Sequence, residues 1–129
     1  MLQVAQAAAL LSRLEASVVQ PGDALLLCGD FNSLPCSGVH ELCTTGSLPL
    51  DHEHARAPDV RIRPPLPSSA SPSGGFRHTL QLSSAYGALG EEPPLTNKTP
   101  DFSGTIDYVF HSSELAPRGA LAVDDLEGA

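Results

Sequence analysis

The chain has 129 residues and a hydrophobic share of 41%, which allows one domain at most and a modest core. Its net charge is −8, with 15 Asp and Glu against 7 Lys and Arg, which excludes a protein that grips phosphate backbones by electrostatics alone. Any phosphate substrate would therefore need bound cations.

The three cysteines, Cys28, Cys36 and Cys43, form no Cys-x-x-Cys pair. This disfavours a disulfide framework or a zinc cluster and predicts reduced thiols in an intracellular setting. No signal segment is visible, and no apolar run approaches the roughly 18 residues of a membrane helix, so no membrane association is expected.

Apolar side chains recur at spacings of three and four along the first segment: Val4, Ala7, Leu11, Leu14 and Val18. This pattern predicts an amphipathic helix over 2–19, ended by the Pro-Gly pair at 21–22. No capping residue precedes the helix, so we expect the natural domain to begin further upstream.

The uninterrupted apolar run at 24–28 predicts a strand that is buried on both faces. Gly29 allows a sharp turn after it, and Asp30 and Asn32 follow. An extended backbone would direct these two side chains to the same side, as a working pair would require. An ordinary polar turn explains the tetrapeptide 29–32 equally well, so its neighbours must decide.

A short helix is predicted over 38–44, with Ser37 as its N-cap and Gly46 as its stop. Periodicity then vanishes, and the Pro- and Ser-rich segment at about 51–75 is predicted to be a largely disordered, low-complexity loop.

Two sharper interpretations of this loop are possible. His52, Glu53 and His54 could bind a metal, and the pattern Arg61-x-x-Pro64-x-x-Pro67 fits a polyproline ligand. A plain linker is preferred to both, because adjacent histidines in a flexible loop lack support and such proline patterns arise by chance.

Beyond the loop, partial alternation predicts a strand over 76–82, with a break at Gly87. His78 within it is more often structural than functional in such a setting. A β-branched and aromatic strand follows at 105–110 and contains Asp107. Because burying an unpaired carboxylate is costly, we expect Asp107 to bond a His, an Arg or a metal-bound group.

Three segments carry a family resemblance: 29–38 (Gly-Asp-Phe-Asn-Ser-Leu-Pro-Cys-Ser-Gly), 95–102 (Leu-Thr-Asn-Lys-Thr-Pro-Asp-Phe) and 103–110 (Ser-Gly-Thr-Ile-Asp-Tyr-Val-Phe). Together they resemble the endonuclease/exonuclease/phosphatase superfamily. The Ser-Leu-Pro-x-Ser-Gly and Thr-Asn-x-Thr-Pro-x-Phe patterns are similar to those of messenger-RNA deadenylases of the carbon catabolite repressor type.

The resemblance implies an α/β fold, part of a two-layer β-sandwich flanked by helices, with 1–129 a partial superfamily domain. It implies a 3′-to-5′ exoribonuclease that shortens poly(A) tails with Mg²⁺, and hence RNA with poly(A) 3′ ends and a multi-subunit deadenylase complex as partners. A cytoplasmic location is preferred, and a nuclear one is also compatible.

By match to the motifs, Asp30 would position or deprotonate the attacking water, and Asn32 would donate a hydrogen bond to a phosphoryl oxygen. Both would contact a metal. Asp107 resembles the acid that orients an active-site His and fixes its tautomer.

Three further residues are predicted to bind substrate. Phe102 would stack on an adenine, or else is a core residue under the loop, and the two roles are held equal. Asn97 would read the substrate or stabilise its turn. His78, with the Ser-Ala-Tyr block at 84–86, resembles a segment of the same enzymes.

The chain also departs from the family pattern. A metal-binding Glu upstream of the first helix and a Ser-Asp-His segment downstream of Asp107 are expected in the family and are absent here. We therefore expect a poorly stable fragment with little activity, and robust Mg²⁺-dependent trimming of oligo(A) would contradict this. A superfamily phosphodiesterase or phosphatase on another substrate, such as 2′,5′-linked oligoadenylate, and a non-catalytic binding module remain open.

Overall fold

The computed structural model describes residues 2–55 and 74–121. Within them the helices are α1 (Leu2–Ser17), α2 (Gly38–Thr45) and α3 (Ala85–Leu89). The strands are β1 (Leu26–Asp30), β2 (Ser47–Pro49), β3 (Gly75–Arg77), β4 (Ser83–Ser84), β5 (Asn97–Thr99), β6 (Phe102–Gly104) and β7 (Asp107–His111). The predicted mixed helix and strand composition is confirmed.

All the strand pairs are antiparallel. β7 lies at the centre of a three-stranded sheet with the order β1-β7-β4, while β2 pairs with β3 and β5 pairs with β6. The register of β1 on β7 runs from Leu26 opposite His111 to Asp30 opposite Asp107. The sequence neighbourhoods of Asp30 and Asp107 therefore meet at one end of this sheet.

The hydrophobic core lies between one face of the sheet and the helices α1 and α2. Its largest fully buried side chains are Val4, Leu11, Leu42, Cys43, Leu48 and Phe110. The predicted apolar face of α1 is thus confirmed for its first three turns, whereas Val18 is 57% exposed and lies beyond the helix end. Within the described ranges, no helix has the length and apolar character needed to cross a bilayer.

α2 begins and ends as its capping residues predict. The Ser37 hydroxyl accepts a hydrogen bond from the His40 amide, and Gly46 adopts the left-handed conformation at φ 77°. A Cβ at position 46 would also lie 2.9 Å from the His78 carbonyl oxygen, so only glycine fits there. Local sequence therefore fixes both ends of α2.

The prediction of a strand at 24–28 buried on both faces is wrong. The strand is Leu26–Asp30, it lies at one edge of its sheet among the described residues, and Leu26 is 59% exposed. Leu27 packs against the core, whereas the opposite face of β1 is open among the described residues. An apolar run shows that both faces of a strand are hydrophobic. It does not show whether a second layer of structure covers both faces.

The segment after the loop also differs from its prediction. Of the expected 76–82 strand, only Phe76 and Arg77 belong to a strand, β3. A continuous strand over this range is also excluded by the left-handed φ of 50° at Gln81. Gly87 was predicted to end the regular structure of this segment, but it lies inside α3, whose N-cap is Ser84.

The predicted loop at 51–75 is only partly described, and residues 56–73, with the Arg61, Pro64 and Pro67 pattern, lie outside the described residues. Its two ends meet, because Pro49 pairs with Gly75 in the β2–β3 ladder. The His54 ring accepts a hydrogen bond from the Gly38 amide at 2.9 Å. No group of three or more metal-binding side chains occurs in the described part of the chain, so the metal interpretation of His52 and His54 has no support.

Candidate active site

Asp30 and Asp107 occupy directly opposed positions on β1 and β7. Opposed residues of an antiparallel pair project from the same face of the sheet, with Cβ atoms about 5 Å apart. Asp30 is exposed and Asp107 is half-buried. The pairing brings two carboxylate-bearing residues to one end of the sheet, an arrangement that can receive a bound cation.

The chain turns immediately after Asp30. Asn32 adopts a left-handed φ of 47°, and its amide donates a hydrogen bond of 2.7 Å to Asp30 Oδ1. The expectation of an extended backbone at this point is therefore wrong, because asparagine tolerates this conformation and the carboxylate stabilises it. Asn32 nevertheless stays close to Asp30, because its amide is bonded to the Asp30 carboxylate.

Asp107 has a partner that the sequence analysis missed. The Thr96 hydroxyl donates to Asp107 Oδ2 at 2.8 Å and accepts hydrogen bonds from the amides of Ile106 and Asp107, both at 3.0 Å. The expected His, Arg or metal-bound partner is therefore corrected to a threonine among the described residues. Thr96 lies inside the 95–102 segment, next to Asn97. Its hydroxyl was the feature of the sequence from which this partner of Asp107 could have been predicted.

Phe102 and Asn97 belong to the β5–β6 ribbon, in which Asn97 pairs with Gly104. Phe102 is 38% exposed and does not belong to the hydrophobic core, which favours its exposed role over the core role. A Cβ on Gly104 would meet Leu34 Cδ2 at 2.9 Å and Phe102 Cζ at 3.0 Å. The Phe102 ring and the Leu34 side chain therefore both lie over Gly104, which brings the ribbon beside the 29–34 segment.

His78 has a structural environment. It is 7% exposed, its Nε2 donates to the Leu42 carbonyl oxygen at 2.8 Å, and its Nδ1 accepts the Leu80 amide at 3.2 Å. Both ring nitrogens are thus used to join the end of α2 to the segment after β3. The predicted substrate contact is corrected accordingly, because the ring has no free nitrogen for a ligand.

Two open grooves flank Asn32. The first, of about 280 Å³, lies between α1 and the end of β1, and Asp30, Asn32, Gln3 and Gln6 supply its polar groups. The second, of about 320 Å³, is lined by Ser33, Leu34, Cys36, Ser37 and His54 among others. Both are shallow and accessible, as a site for a polymer end requires.

The donor set at this end of the sheet fits a hard divalent cation. Asp30, Asp107 and the Asn32 carboxamide supply oxygen atoms, which Mg²⁺ prefers, and it commonly keeps several water ligands beside one or two carboxylates. The described residues hold no cluster of three metal-binding side chains, so this set is a partial one.

Comparisons with known proteins agree on the ancestry of the chain. The Ccr4 subunit of Aspergillus fumigatus, named as a CCR4-Not complex 3′-5′-exoribonuclease subunit, is 46% identical over 97 residues, which are 75% of this chain and 13% of that protein. The Ccr4 subunit of Kluyveromyces lactis is 39% identical over 106 residues, 81% of this chain and 12% of that protein. The chain thus spans about an eighth of the length of these curated relatives.

A solved structure shares the fold. The crystal structure of ANGEL2, a 2′,3′-cyclic phosphatase, superposes with a TM-score of 0.62 at 26% identity and covers 87% of this chain and 40% of that one. The antiparallel sheet with helices on one face is therefore part of a larger known architecture. Residues 2–129 match the Endonuclease/Exonuclease/phosphatase family, and the chain belongs to that family, as the motifs predicted.

Proposed function

We propose that this chain carries part of the active site of a metal-dependent 3′-to-5′ exoribonuclease that shortens poly(A) tails. The observation that supports this most directly is the opposed pair Asp30 and Asp107, with Asn32 held on a turn bonded to Asp30. The similarity to two fungal Ccr4 subunits over three quarters of the chain supports the same reaction class.

Hydrolysis of a phosphodiester needs an oriented water and stabilisation of the charge that develops on the non-bridging oxygens. Asp30, exposed at the strand end, accepts a proton from the water or orients it. Asn32 donates a hydrogen bond to a phosphoryl oxygen. A bound Mg²⁺ would supply Lewis-acid stabilisation of the phosphoryl charge.

Asp107 acts indirectly in this proposal. Its carboxylate is held by the Thr96 hydroxyl through Oδ2, which fixes its orientation toward the open side of the sheet end. In the role that the family resemblance gives it, this carboxylate would orient an imidazole that takes part in proton transfer, in addition to its bond with Thr96.

Phe102 supplies the stacking surface for an adenine, since its ring is partly exposed beside the turn that follows Asp30. Stacking does not need positive charge, which suits a chain with a net charge of −8. Asn97 lies on the same ribbon and contributes hydrogen bonds to the substrate or to its own turn. RNA with a poly(A) 3′ end is accordingly the proposed substrate.

We further place the protein in a multi-subunit deadenylase complex, because the fungal relatives are named as CCR4-Not subunits. Its proposed role is messenger-RNA decay in the cytoplasm, with the nucleus as a second location.

A second candidate is a phosphatase or phosphodiesterase of the same family with a different substrate. The specific observation in its favour is the structural similarity to ANGEL2, a 2′,3′-cyclic phosphatase. Cleavage of 2′,5′-linked oligoadenylate belongs to the same group, and a binding module without catalysis is the alternative of another class.

The test compares four substrates with the purified chain in Mg²⁺: 5′-labelled oligo(A), oligo(U), 2′,5′-linked oligo(A) and an oligonucleotide ending in a 2′,3′-cyclic phosphate. The same assays are made with the A. fumigatus Ccr4 subunit whose 97 aligned residues are replaced by those of this chain. Preferential stepwise shortening of oligo(A), lost in Asp30→Asn and kept in Asp23→Asn, supports the proposal. Opening of the cyclic phosphate alone would move the protein to the second candidate, and binding without cleavage in the chimera would favour the binding module.

A further inference from the structure

Tyr108 follows Asp107 in β7 and lies opposite Gly29. It is 2% exposed. Its ring lies against Phe31, Phe110 and His40, with centroid separations of 5.9, 5.2 and 5.3 Å. These contacts leave the ring one position, so the location of its hydroxyl is fixed by packing.

The Tyr108 hydroxyl lies 2.7 Å from the carbonyl oxygen of Ser33 and 3.1 Å from that of Thr105. A phenol has one hydrogen to donate, so the two carbonyls share it, with Ser33 as the nearer acceptor. Ser33 follows Asn32 directly, and Thr105 lies two residues before Asp107. One buried hydroxyl therefore connects the backbones of both segments that carry the site.

We propose that Tyr108 is a positioning residue, whose hydroxyl fixes the 30–33 turn relative to Asp107. The turn contains Asn32, whose left-handed φ of 47° is one of several conformations open to asparagine, and an anchor at the next residue helps to select it. The Phe31 amide, bonded to the Ile106 carbonyl oxygen at 2.8 Å, supports the turn on the β7 side, but the Tyr108 bond reaches beyond Asn32.

The hydroxyl remains a donor over the neutral pH range. Burial, and next the charge of Glu92, raise the pKa of Tyr108 well above its ordinary value. The catalytic purpose of positioning the 30–33 turn rests on the proposed function. The effect of Tyr108 on the turn can itself be measured without any substrate.

The test uses the full 129-residue chain, labelled with ¹⁵N, and Mg²⁺ alone as the probe. Tyr108→Phe removes the hydroxyl and keeps the ring. Tyr86→Phe, at a half-buried position of α3, is the matched control. Phe110→Leu weakens the aromatic packing around Tyr108 and keeps the Tyr108 hydroxyl. Amide exchange, chemical shifts and the apparent Mg²⁺ dissociation constant are measured for each.

In Tyr108→Phe we expect shifted signals for Asp30 and Asn32 and exchange of the Asn32 amide that is faster by roughly tenfold. We also expect Mg²⁺ binding weaker by roughly tenfold, the lower end of the range for groups that orient metal ligands. Phe110→Leu, which keeps the Tyr108 hydroxyl, should lower the melting temperature but change these local signals less than Tyr108→Phe does.

Unchanged Asn32 signals in Tyr108→Phe would overturn the inference, and so would a variant that fails to fold, because the hydroxyl would then serve overall stability. A wild-type chain that shows no Mg²⁺ response at Asp30, combined with altered Asn32 exchange in the variant, would refute the metal site of the proposed function and leave the positioning role standing.

Discussion

The Thr96 hydroxyl makes three hydrogen bonds to a segment of two residues, donating to the Asp107 carboxylate and accepting from the amides of Ile106 and Asp107. A single side chain from the segment before β5 therefore determines where the carboxylate at the start of β7 points. Removing this hydroxyl should therefore lower the free energy of unfolding.

Thr96→Val keeps the shape of the side chain and removes all three bonds. Because two amides and one carboxylate oxygen lose their partner in a half-buried place, we expect a loss of about 2–3 kcal/mol in the free energy of unfolding. Urea titration followed by circular dichroism measures it. Thr96→Ser should recover most of the loss, and Thr99→Val, exposed in β5, should stay within about 0.5 kcal/mol of the wild type. Equal stability of Thr96→Val and wild type would contradict the bonding described here.

Asp30→Asn should separate stability from function. Two effects oppose each other in this variant: relief of repulsion with the opposed Asp107, and a weaker acceptor for the Asn32 amide. Without divalent metal the free energy of unfolding should therefore change by no more than about 0.5 kcal/mol, and the repulsive part should vanish as salt screens the pair. Mg²⁺ binding and oligo(A) cleavage should fall at the same time. The comparison is thermal unfolding in 10 mM and 500 mM salt, between which the Debye length falls from about 30 Å to about 4 Å. Asp23→Asn, in a turn away from the sheet end, should show no salt-dependent difference from the wild type. If the difference between Asp30→Asn and the wild type is the same at both salt concentrations, the two carboxylates are not close.

Gly104→Ala tests the placement of Phe102. The new methyl group would lie 2.9 Å from Leu34 Cδ2 and 3.0 Å from Phe102 Cζ, so both side chains must move. We expect weaker binding of adenosine monophosphate or oligo(A), comparable to Phe102→Leu, because base stacking contributes about 1–3 kcal/mol. Fluorescence anisotropy of labelled oligo(A) gives the affinities. The matched control is Gly119→Ala, where a Cβ meets open space. Undiminished binding in both Gly104→Ala and Phe102→Leu would assign Phe102 a role other than stacking.

Local sequence was sufficient for α1 and for α2 with its caps Ser37 and Gly46. The reason is that helix faces and caps depend on neighbours within a few residues. The convergence of the two acids was reached differently, through the resemblance of their motifs to one family, since no local rule brings residues 77 positions apart together.

The failures all depend on long-range contacts. Which elements pack together decides the exposure of β1, the Thr96 partner of Asp107 and the Leu42 carbonyl partner of His78. Periodicity carries no information on that packing. Asn32 is a different case, because its left-handed turn could have been predicted from the known tolerance of asparagine for that conformation.

Cys43 makes stability depend on alkaline pH. The residue is fully buried in the core, and burial raises the pKa of its thiol from an ordinary value of 9.0 to about 12. In the unfolded chain the thiol ionises first, so its contribution to stability is fully present below about pH 9 and is lost as the pH rises toward 12. Tyr108, whose pKa is also raised by burial, acts in the same direction at the upper end of this range.

The free energy of unfolding should therefore fall between pH 9 and 11, by up to about 1.4 kcal/mol per pH unit for one proton. Cys43→Ala should be less stable at pH 7 by about 1 kcal/mol, through the small cavity, but should show a shallower decline above pH 9. Cys36→Ala, at an exposed position, should decline as steeply as the wild type. A thiol reagent at pH 8 should modify the exposed Cys28 and Cys36 in the folded chain and Cys43 only after unfolding. If Cys43 reacts as fast as the other two, it is not closed off in the core, and the alkaline decline must come from other groups.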